Sequence, residues 1–248
     1  MRIAVVGGTG LIGSKLVAHL TADGHDIVVA SRATGVNSYT GEGLEAALDG
    51  VETVIDTSNS GYFDDRAATE FFYVSTLNLL TYGEATHHVA LSVVGTDRLA
   101  ASEGGYFRAK AAQEKLIRES GKPYSIVHST QFFEFVKSIA DAATVGHVVR
   151  LSNALIQPIA GDDVAAEVAR VAAGAPVNGM VEIAGPDTFR LEELVRTQLA
   201  LREDPREVVA DPLARYFGTE LDERELFPAD DAVIAPTRFA EWLAAAPR

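Results

Sequence analysis

The first thirty-two residues contain the sequence feature that most restricts the fold of this chain. Arg2–Val6 is an apolar, β-branched run of strand length, and the glycine-rich segment Gly7–Gly13 follows it directly. Ser14–Leu20 then has apolar residues at helical spacing, and Ile27–Ala30 is a second apolar run typical of a buried strand. A strand, a glycine turn, a helix and a further strand in this order predict a βαβ unit.

The glycines follow the spacing Gly7-x-x-Gly10-x-x-Gly13, and each has a physical function in such a unit. Gly7 permits a tight turn, Gly10 lets backbone N–H groups approach a diphosphate, and Gly13 lets the helix pack close to the strand. The helix N-terminus presents its partial positive charge to the phosphates. The context therefore predicts a dinucleotide-binding site and not an ordinary turn.

Composition limits how such a site can hold an anion. The net charge of −14 over 248 residues argues against a nucleic-acid or anionic-membrane surface, so local backbone groups and a few cations must bind the cofactor. The absence of cysteine excludes disulfides, thiolate metal ligands and cysteine nucleophiles. With neither a leader pattern nor an apolar run of membrane-spanning length, we expect a cytoplasmic protein, and its oligomeric state is left open.

Strands and helices alternate along the chain, as in a doubly wound parallel sheet. Strands are predicted near Val36 and over 51–56, 89–94, 124–128 and 181–184, and helices over 44–48, 69–82, 105–119, 162–173, 191–201 and 239–246. The segment 148–159 is predicted to be extended, and 203–231 is acidic and aperiodic. We predict an NAD(P)-binding Rossmann domain over 1–152 and a smaller substrate-side region over 153–248, packed on it and not an independent domain.

A second signal is the Tyr106-x-x-x-Lys110 pair on a predicted helix. Residues four apart lie on the same helical face, so the phenol and the ammonium are expected to project together. A nearby cation lowers the pKa of a tyrosine and makes it a better general acid or base at neutral pH. Ser92 lies toward the carboxyl end of the predicted strand 89–94, fourteen residues before Tyr106, where its hydroxyl could bind the same substrate oxygen.

The glycine spacing and the order Ser92, Tyr106, Lys110 resemble the short-chain dehydrogenase/reductase superfamily, in its extended and atypical branches. The resemblance covers nearly the whole chain and is closest to the NmrA-like members, which include reductases, tailoring enzymes and redox sensors. It implies that Tyr106 exchanges a proton with the substrate oxygen, that Ser92 orients this oxygen, and that Lys110 binds the nicotinamide ribose. Val6 replaces the family's usual threonine, and Asn78 is out of register with its active-site asparagine.

The second strand ends in Ser31-Arg32, where NAD-preferring folds place an acidic residue. Arginine suits a 2′-phosphate through charge-assisted, bidentate bonds, so NADP(H) is the predicted cofactor and NAD(H) remains possible. Thr57 and Ser58 follow a strand where the resemblance implies contact with the adenosine diphosphate. The predicted cofactor-binding residues are Gly7, Thr9, Gly10, Leu11, Ile12, Gly13, Ser31, Arg32, Thr57, Ser58 and Lys110.

The aromatic-rich run after residue 130 predicts the substrate site. Gln131, Phe132 and Phe133 could line a flat apolar pocket, although any single phenylalanine could equally belong to the core. After this strand, many extended relatives have a Pro-Gly that contacts the nicotinamide, whereas this chain has Ser129-Thr130 followed by Gln131. No metal site is predicted, because His87-His88 point apart and fit a polar turn better.

These features predict an NAD(P)-dependent oxidoreductase that transfers hydride to or from an apolar, aromatic or polycyclic carbonyl or quinone of specialised metabolism. Tyr106 would donate or accept the proton. Two alternatives stay open: an oxygen-using tailoring enzyme that acts on a phenol, and a non-catalytic NADP(H) redox sensor. A small-molecule substrate is predicted, with no nucleic-acid or membrane partner.

Overall fold

A computed structural model describes residues 1–60, 64–101 and 105–245. The helices are α1 Leu11–Ala22, α2 Leu44–Leu48, α3 Asp65–Tyr82, α4 Thr96–Leu99, α5 Gly105–Glu119, α6 Val136–Ala142, α7 Gly161–Ala173, α8 Leu191–Leu201 and α9 Phe239–Ala245. The strands are β1 Arg2–Val6, β2 Asp26–Ala30, β3 Thr53–Asp56, β4 His87–Val93, β5 Tyr124–Ser129, β6 Thr144–Val145, β7 Val148–Leu151, β8 Leu155–Ile156, β9 Gly179–Ala184, β10 Phe189–Arg190, β11 Glu207–Ala210 and β12 Val233–Ile234.

The main sheet has seven parallel strands in the order β2-β1-β3-β4-β5-β9-β12. The chain passes from β1 to β2 on one side and then returns to place β3 on the other side of β1. The strand order therefore reverses between β1 and β3, and ligands of open α/β sheets bind at the carboxyl ends of the strands that flank such a reversal. The predicted doubly wound parallel sheet is confirmed.

Helices cover both faces of this sheet. Successive residues of β1 point to opposite sides, and the four that follow Arg2 are all apolar and buried. Ile3 and Val5 belong to a core with α1 and α7. Ala4 and Val6 belong to a core with α2 and α3, and Ile117 of α5 packs on β4 and β5. Burial on both faces is what makes β1 a continuous apolar run.

The chain after residue 152 enters the main sheet as well as forming smaller structures. β9 pairs with β5, and β12 pairs with β9, so the predicted boundary does not coincide with a break in the sheet. β6, β7 and β11 form a second sheet, and β8 pairs with β10. A second core unites α6, α8 and α9 with Phe107 of α5.

Several predicted elements differ from the structure at their ends. The expected strand near Val36 is wrong: a short 3₁₀ helix, Arg32–Thr34, occupies that stretch and ends at Gly35, whose φ is +81°. Helix α3 begins before residue 69, because the Asp64 carboxylate accepts a hydrogen bond from Ala67 N at 2.8 Å. The last predicted helix extends to Ala246, which lies outside the described residues. None of the described helices is both long and apolar enough to cross a membrane.

Candidate functional site

The glycine turn lies at the reversal of strand order. Gly7 has a φ of +77°, a left-handed conformation that favours glycine. A Cβ atom on Gly7 would lie 3.0 Å from the backbone N of Ser58, so the turn after β1 touches the segment that follows β3. The predicted tight turn at Gly7 is confirmed, and it brings the two predicted cofactor segments together.

Helix α1 starts against this turn. A Cβ atom on Gly13 would lie 2.1 Å from the carbonyl oxygen of Gly7, and one on Gly10 would lie 3.1 Å from the same oxygen. The first i−4 hydrogen bond of α1 runs from Ser14 N to Gly10 O at 3.0 Å. The N–H groups of Leu11, Ile12 and Gly13 come before it and have no i−4 partner within the helix. Side chains larger than hydrogen at Gly13 would push the helix off the strand.

Ser31 and Arg32 lie at the carboxyl end of β2, beside the glycine turn. The backbone N of Ser31 donates to Thr34 Oγ1 at 3.0 Å, which fixes the start of the 3₁₀ helix. Arg32 is exposed, and within the described ranges no residue forms a hydrogen bond or ion pair with its guanidinium. This geometry leaves Arg32 available to a phosphate at the edge of the site.

Thr57 and Ser58 differ in what their hydroxyls can do. Thr57 Oγ1 donates to Val6 O at 2.9 Å, which ties β3 to β1. Ser58 N donates to Asp56 Oδ1 at 2.9 Å, whereas Ser58 Oγ is buried with no hydrogen-bond partner among the described residues. Of the two predicted cofactor contacts, Ser58 therefore has the unused hydroxyl.

A buried polar chain connects this segment to Lys110. Asp56 Oδ2 accepts a hydrogen bond from Gln113 Nε2 at 2.9 Å, and Gln113 Oε1 accepts one from Lys110 Nζ. Lys110 also donates to Leu91 O at 2.9 Å. Burial lowers the pKa of Lys110 to about 8, while the charges of Asp56 and Glu114 act in the opposite direction. Sequence reasoning missed Asp56 and Gln113; the signal was a carboxylate directly at the end of an apolar strand.

Tyr106 and Lys110 share one face of α5, as predicted, and both contact Phe72 of α3. The Tyr106 and Phe72 rings meet edge to face at 6.1 Å, and Lys110 Nζ lies 4.6 Å from the Phe72 ring centre. The predicted effect on the phenol is wrong, because burial raises the pKa of Tyr106 to about 12. In this conformation the Lys110 ammonium donates hydrogen bonds to its own helix and to β4. It does not offset the effect of desolvation on the pKa of Tyr106.

A second phenol, which the sequence did not suggest, lies near the first. Tyr216 belongs to the segment after β11, and burial together with the proximity of Tyr106 raises the pKa of its hydroxyl. Its ring also packs edge to face on Phe217 at 4.8 Å. Tyr216 lies within the aperiodic stretch 203–231, so no spacing could connect it with Tyr106.

Ser92 requires a correction. Its side chain is 2% exposed, and its hydroxyl donates to Glu114 of α5, so it is directed into the interior and not toward a substrate oxygen. His128 Nε2 bonds the same carboxylate oxygen at 2.8 Å, and Arg118 reaches the other oxygen at 3.1 Å. Burial opposes the ionisation of Glu114, but the His128 and Ser92 hydrogen bonds prevail and lower its pKa below the usual value.

The predicted substrate residues separate into three environments. Phe133 is 0% exposed and packs on Phe239 and Trp242, so it is a core residue and not a substrate contact in this structure. Phe132 is partly buried and stacks on the exposed Phe135 at 5.4 Å. Gln131 is 7% exposed, and neither side-chain atom has a hydrogen-bond partner among the described residues.

The adjacent histidines lie inside β4 and not in the expected polar turn. His87 Nε2 bonds Ser125 Oγ at 2.8 Å on one face of the sheet. His88 lies on the other face of the sheet. Burial there lowers its pKa to about 4, so its imidazole is neutral at physiological pH. Over the described residues, no group of three or more His, Cys, Asp or Glu side chains is placed to hold a metal ion.

The sheet is parallel, and its first strand leads through a glycine turn into a helix at the point where the strand order reverses. These features define a Rossmann-like α/β protein. Residues 3–133, just over half of the chain, match the NAD dependent epimerase/dehydratase family. The chain belongs to this family. No curated protein matches the sequence.

Solved structures share this fold at low sequence identity. MoeE5 in complex with UDP-glucose and NAD is 18% identical, with a TM-score of 0.73 over 98% of this chain and 96% of that one. RMD from Pseudomonas aeruginosa complexed with NADPH is 15% identical, with a TM-score of 0.69 over 98% and 95%. A short-chain dehydrogenase/reductase superfamily protein from Agrobacterium tumefaciens with bound NAD is 14% identical, with a TM-score of 0.69 over 98% and 95%.

Proposed function

We propose that the protein is an NAD(P)-dependent oxidoreductase in which Tyr106 serves as the proton donor. The single observation that carries this proposal is the glycine turn at the strand reversal, where a Cβ on Gly13 would meet Gly7 O at 2.1 Å. Such close approach leaves backbone N–H groups open to a diphosphate. The family and the nicotinamide nucleotides bound to MoeE5 and RMD support the same assignment.

The residues fit a dinucleotide along the carboxyl edge of the sheet. The first-turn amides of α1 would hold the diphosphate, and the unpartnered Ser58 hydroxyl would bond the adenosine half. We propose NADP(H) as the preferred form, because Arg32 is an unpaired cation at the end of β2. A bound nicotinamide would supply hydride exchange at a carbon of the substrate.

Tyr106 contributes a proton and not a negative charge. Because burial raises its pKa to about 12, the phenol keeps its proton at neutral pH and can donate it to an oxygen that gains charge. Lys110 has a pKa near 8, so it is close to losing its charge while it stays bonded to Gln113 and Leu91. Binding of a nucleotide ribose would require Lys110 to exchange one of these partners.

We propose an apolar carbonyl or quinone as the substrate, and place the chain with the NmrA-like members. The stacked pair Phe132 and Phe135 supports a flat substrate, since Phe132 packs on the core that contains Ile12 and Phe135 is 40% exposed. The redox-sensor alternative has less support, because a sensor has no use for a proton donor such as Tyr106.

The test combines binding with turnover. Purified protein is titrated with NADPH and NADH by calorimetry and then assayed for NADPH consumption with quinones, ketones and UDP-sugars. We expect binding, consumption with at least one apolar carbonyl, and loss of turnover in Tyr106→Phe with nucleotide affinity nearly unchanged. Tyr73→Phe, which alters an exposed tyrosine of α3, is the matched control. Binding without consumption would favour the sensor, and oxygen uptake without NADPH would favour the oxygenase.

A further inference from the structure

We infer that Asp56 is a positioning residue for Lys110, and that its carboxylate acts through the Gln113 amide to keep the Lys110 side chain protonated and held against β4. This role rests on the proposed function for its catalytic meaning, because Lys110 is the residue expected to bind the nicotinamide ribose. It goes beyond that function, since it assigns Asp56 and Gln113, neither of which touches the expected path of the nucleotide.

The observation behind this role is a pair of opposite charges buried on either side of one amide. Asp56 is 1% exposed and Lys110 is 2% exposed. Gln113 lies between them: its Nε2 donates to Asp56 Oδ2 at 2.9 Å, and its Oε1 accepts from Lys110 Nζ. The amide thus turns the positive end of its dipole toward the carboxylate and the negative end toward the ammonium, which favours both charges. The three side chains form one extended ion pair.

Asp56 has no nearer cation to balance its charge. Among the described residues, its side chain accepts hydrogen bonds only from Gln113 and from the backbone N of Ser58, and both donors are neutral. His88 of β4 lies near Asp56, but burial lowers its pKa to about 4 and leaves it uncharged. A buried carboxylate is stable only with a compensating charge or hydrogen bonds. Lys110 is the cation that the amide presents to Asp56.

The groups that face Lys110 from each neighbouring element identify Asp56 as the carboxylate that controls it. On α5, Glu114 is already bonded by three other side chains, those of Ser92, His128 and Arg118. Helix α3 contributes the Phe72 ring, whose centre lies 4.6 Å from Lys110 Nζ, and β4 contributes Leu91 O at 2.9 Å. Neither of these carries a full charge. The Asp56 carboxylate on β3 is therefore the negative charge whose neutralisation falls to Lys110.

Asp56 also connects this network to the glycine turn. Its Oδ1 accepts from Ser58 N at 2.9 Å, and a Cβ atom on Gly7 would lie 3.0 Å from that same nitrogen. One carboxylate oxygen thus fixes the segment after β3, and the other reaches Lys110 through Gln113. Asp56→Asn keeps an oxygen for Ser58 N and removes the negative charge, so it separates the two functions of this side chain.

The test follows the titration of Lys110 by NMR in ligand-free protein with ¹³C-labelled lysine side chains. The Lys110 signal is assigned by its loss in Lys110→Met. In Asp56→Asn, the midpoint of the Lys110 titration should fall by about one pH unit, because an opposite charge stabilises the protonated amine. A midpoint that does not move, or that rises, would overturn the assignment of Asp56.

Controls separate the charge from packing. Thr76 Oγ1 accepts from the same Gln113 Nε2 at 3.1 Å and is fully buried, so Thr76→Val removes a hydrogen bond of the network and no charge. Its Lys110 midpoint should equal that of the wild type, and a fall as large as in Asp56→Asn would overturn the role of the charge. Gln113→Leu gives a second measurement if Asp56→Asn folds poorly. Its midpoint should also fall, and an unchanged midpoint would overturn the link through Gln113.

Turnover gives an independent measurement. In the assay with NADPH, the limb of the kcat/KM profile that follows the loss of charge on Lys110 should move to lower pH in Asp56→Asn, by the same amount as the NMR midpoint. A limb that stays in place would overturn the positioning role. Because the NMR titration needs no nucleotide, the two failures are distinguishable: absence of NADPH binding would overturn the proposed function, whereas a fixed midpoint would overturn only the assignment of Asp56.

Discussion

The two halves of the candidate site are built in different ways. In the glycine-turn half (Gly7–Gly13 with Ser58), the backbone itself forms the cradle, and the residues that matter have small side chains. In the tyrosine half (Ser92, Tyr106 and Lys110), the polar side chains contact other parts of the protein. Ser92 bonds Glu114, and Lys110 bonds Gln113 and Leu91.

This difference separates what is fixed locally from what depends on the whole fold. A glycine turn is specified by a few consecutive residues, because steric limits on φ and close approach act within that stretch. The direction of a serine hydroxyl depends on partners elsewhere in the chain: Glu114 lies 22 residues after Ser92. We therefore expect substitutions in the first half to act on folding and binding together, and those in the second to change proton chemistry.

The largest effect is expected from Gly13→Ala. The new Cβ would meet Gly7 O at 2.1 Å and two further backbone atoms at 2.7 Å, none of which can rotate away. We expect a loss of at least ~3 kcal/mol in unfolding free energy, a fall of ~10 °C in the thermal midpoint, and no measurable nucleotide binding. Differential scanning calorimetry and NADPH titration measure these changes.

Gly174→Ala is the matched control for this substitution. A Cβ at Gly174 would make only ordinary contacts at 3.5 Å, so stability and affinity should change little. Normal NADPH affinity in Gly13→Ala would contradict the description of the glycine-turn half as a backbone cradle. The contact between the new Cβ and Gly7 O should displace the backbone that forms the cradle.

A smaller effect is expected at Lys110, whose burial makes the free energy of unfolding depend on pH. Its pKa is about 8 in the folded protein against 10.5 in the unfolded chain, so the unfolded state binds more protons between these values. The unfolding free energy of the wild type should therefore rise from pH 8 to 10.5 relative to that of Lys110→Met, by on the order of 3 kcal/mol. Urea unfolding at four pH values in this window measures the difference.

Lys115→Met is the control for the pH profile, because Lys115 is exposed on the same helix and pairs with Glu119 only at 3.9 Å. Its profile should run parallel to that of the wild type. If the Lys110→Met profile is parallel as well, Lys110 keeps an ordinary pKa and is not buried in the way described.

The smallest effect is expected at Arg32. Arg32→Ala should weaken NADPH binding about tenfold to a hundredfold, since a charge-assisted hydrogen bond contributes roughly 1.5–3 kcal/mol, and should change NADH binding less than threefold. Arg2→Ala alters an exposed arginine at the amino end of β1 and should change neither. Equal losses for both coenzymes would contradict the 2′-phosphate assignment.

Sequence reasoning predicted the parts of the fold that have strong local signals. Helices Leu44–Leu48, Gly105–Glu119 and Leu191–Leu201 agree to the residue, as does strand β1. The predicted strand near Val36 fails because Gly35 ends a 3₁₀ turn there. The pairing of β9 with β5 had no local signal, since pairing partners fifty residues apart are chosen by the tertiary structure.

Within the site, the residue types were predictable and their environments were not. The Tyr106–Lys110 face follows from helical spacing, but the raised pKa of Tyr106 follows from burial against α3. The core position of Phe133 and the unpartnered amide of Gln131 follow from contacts with chain that comes later in the sequence, including Phe239 and Ile159.

The position of β9 in the main sheet has a consequence for how this protein is made. During synthesis, β5 leaves the ribosome about fifty residues before its neighbour, so the outer edge of the nascent sheet stays open until Gly179–Ala184 has emerged. Open strand edges are templates for aggregation. A fragment cut after residue 152 would lack β9 and leave that edge of β5 unpaired, so we expect it to aggregate more readily than the longer chain.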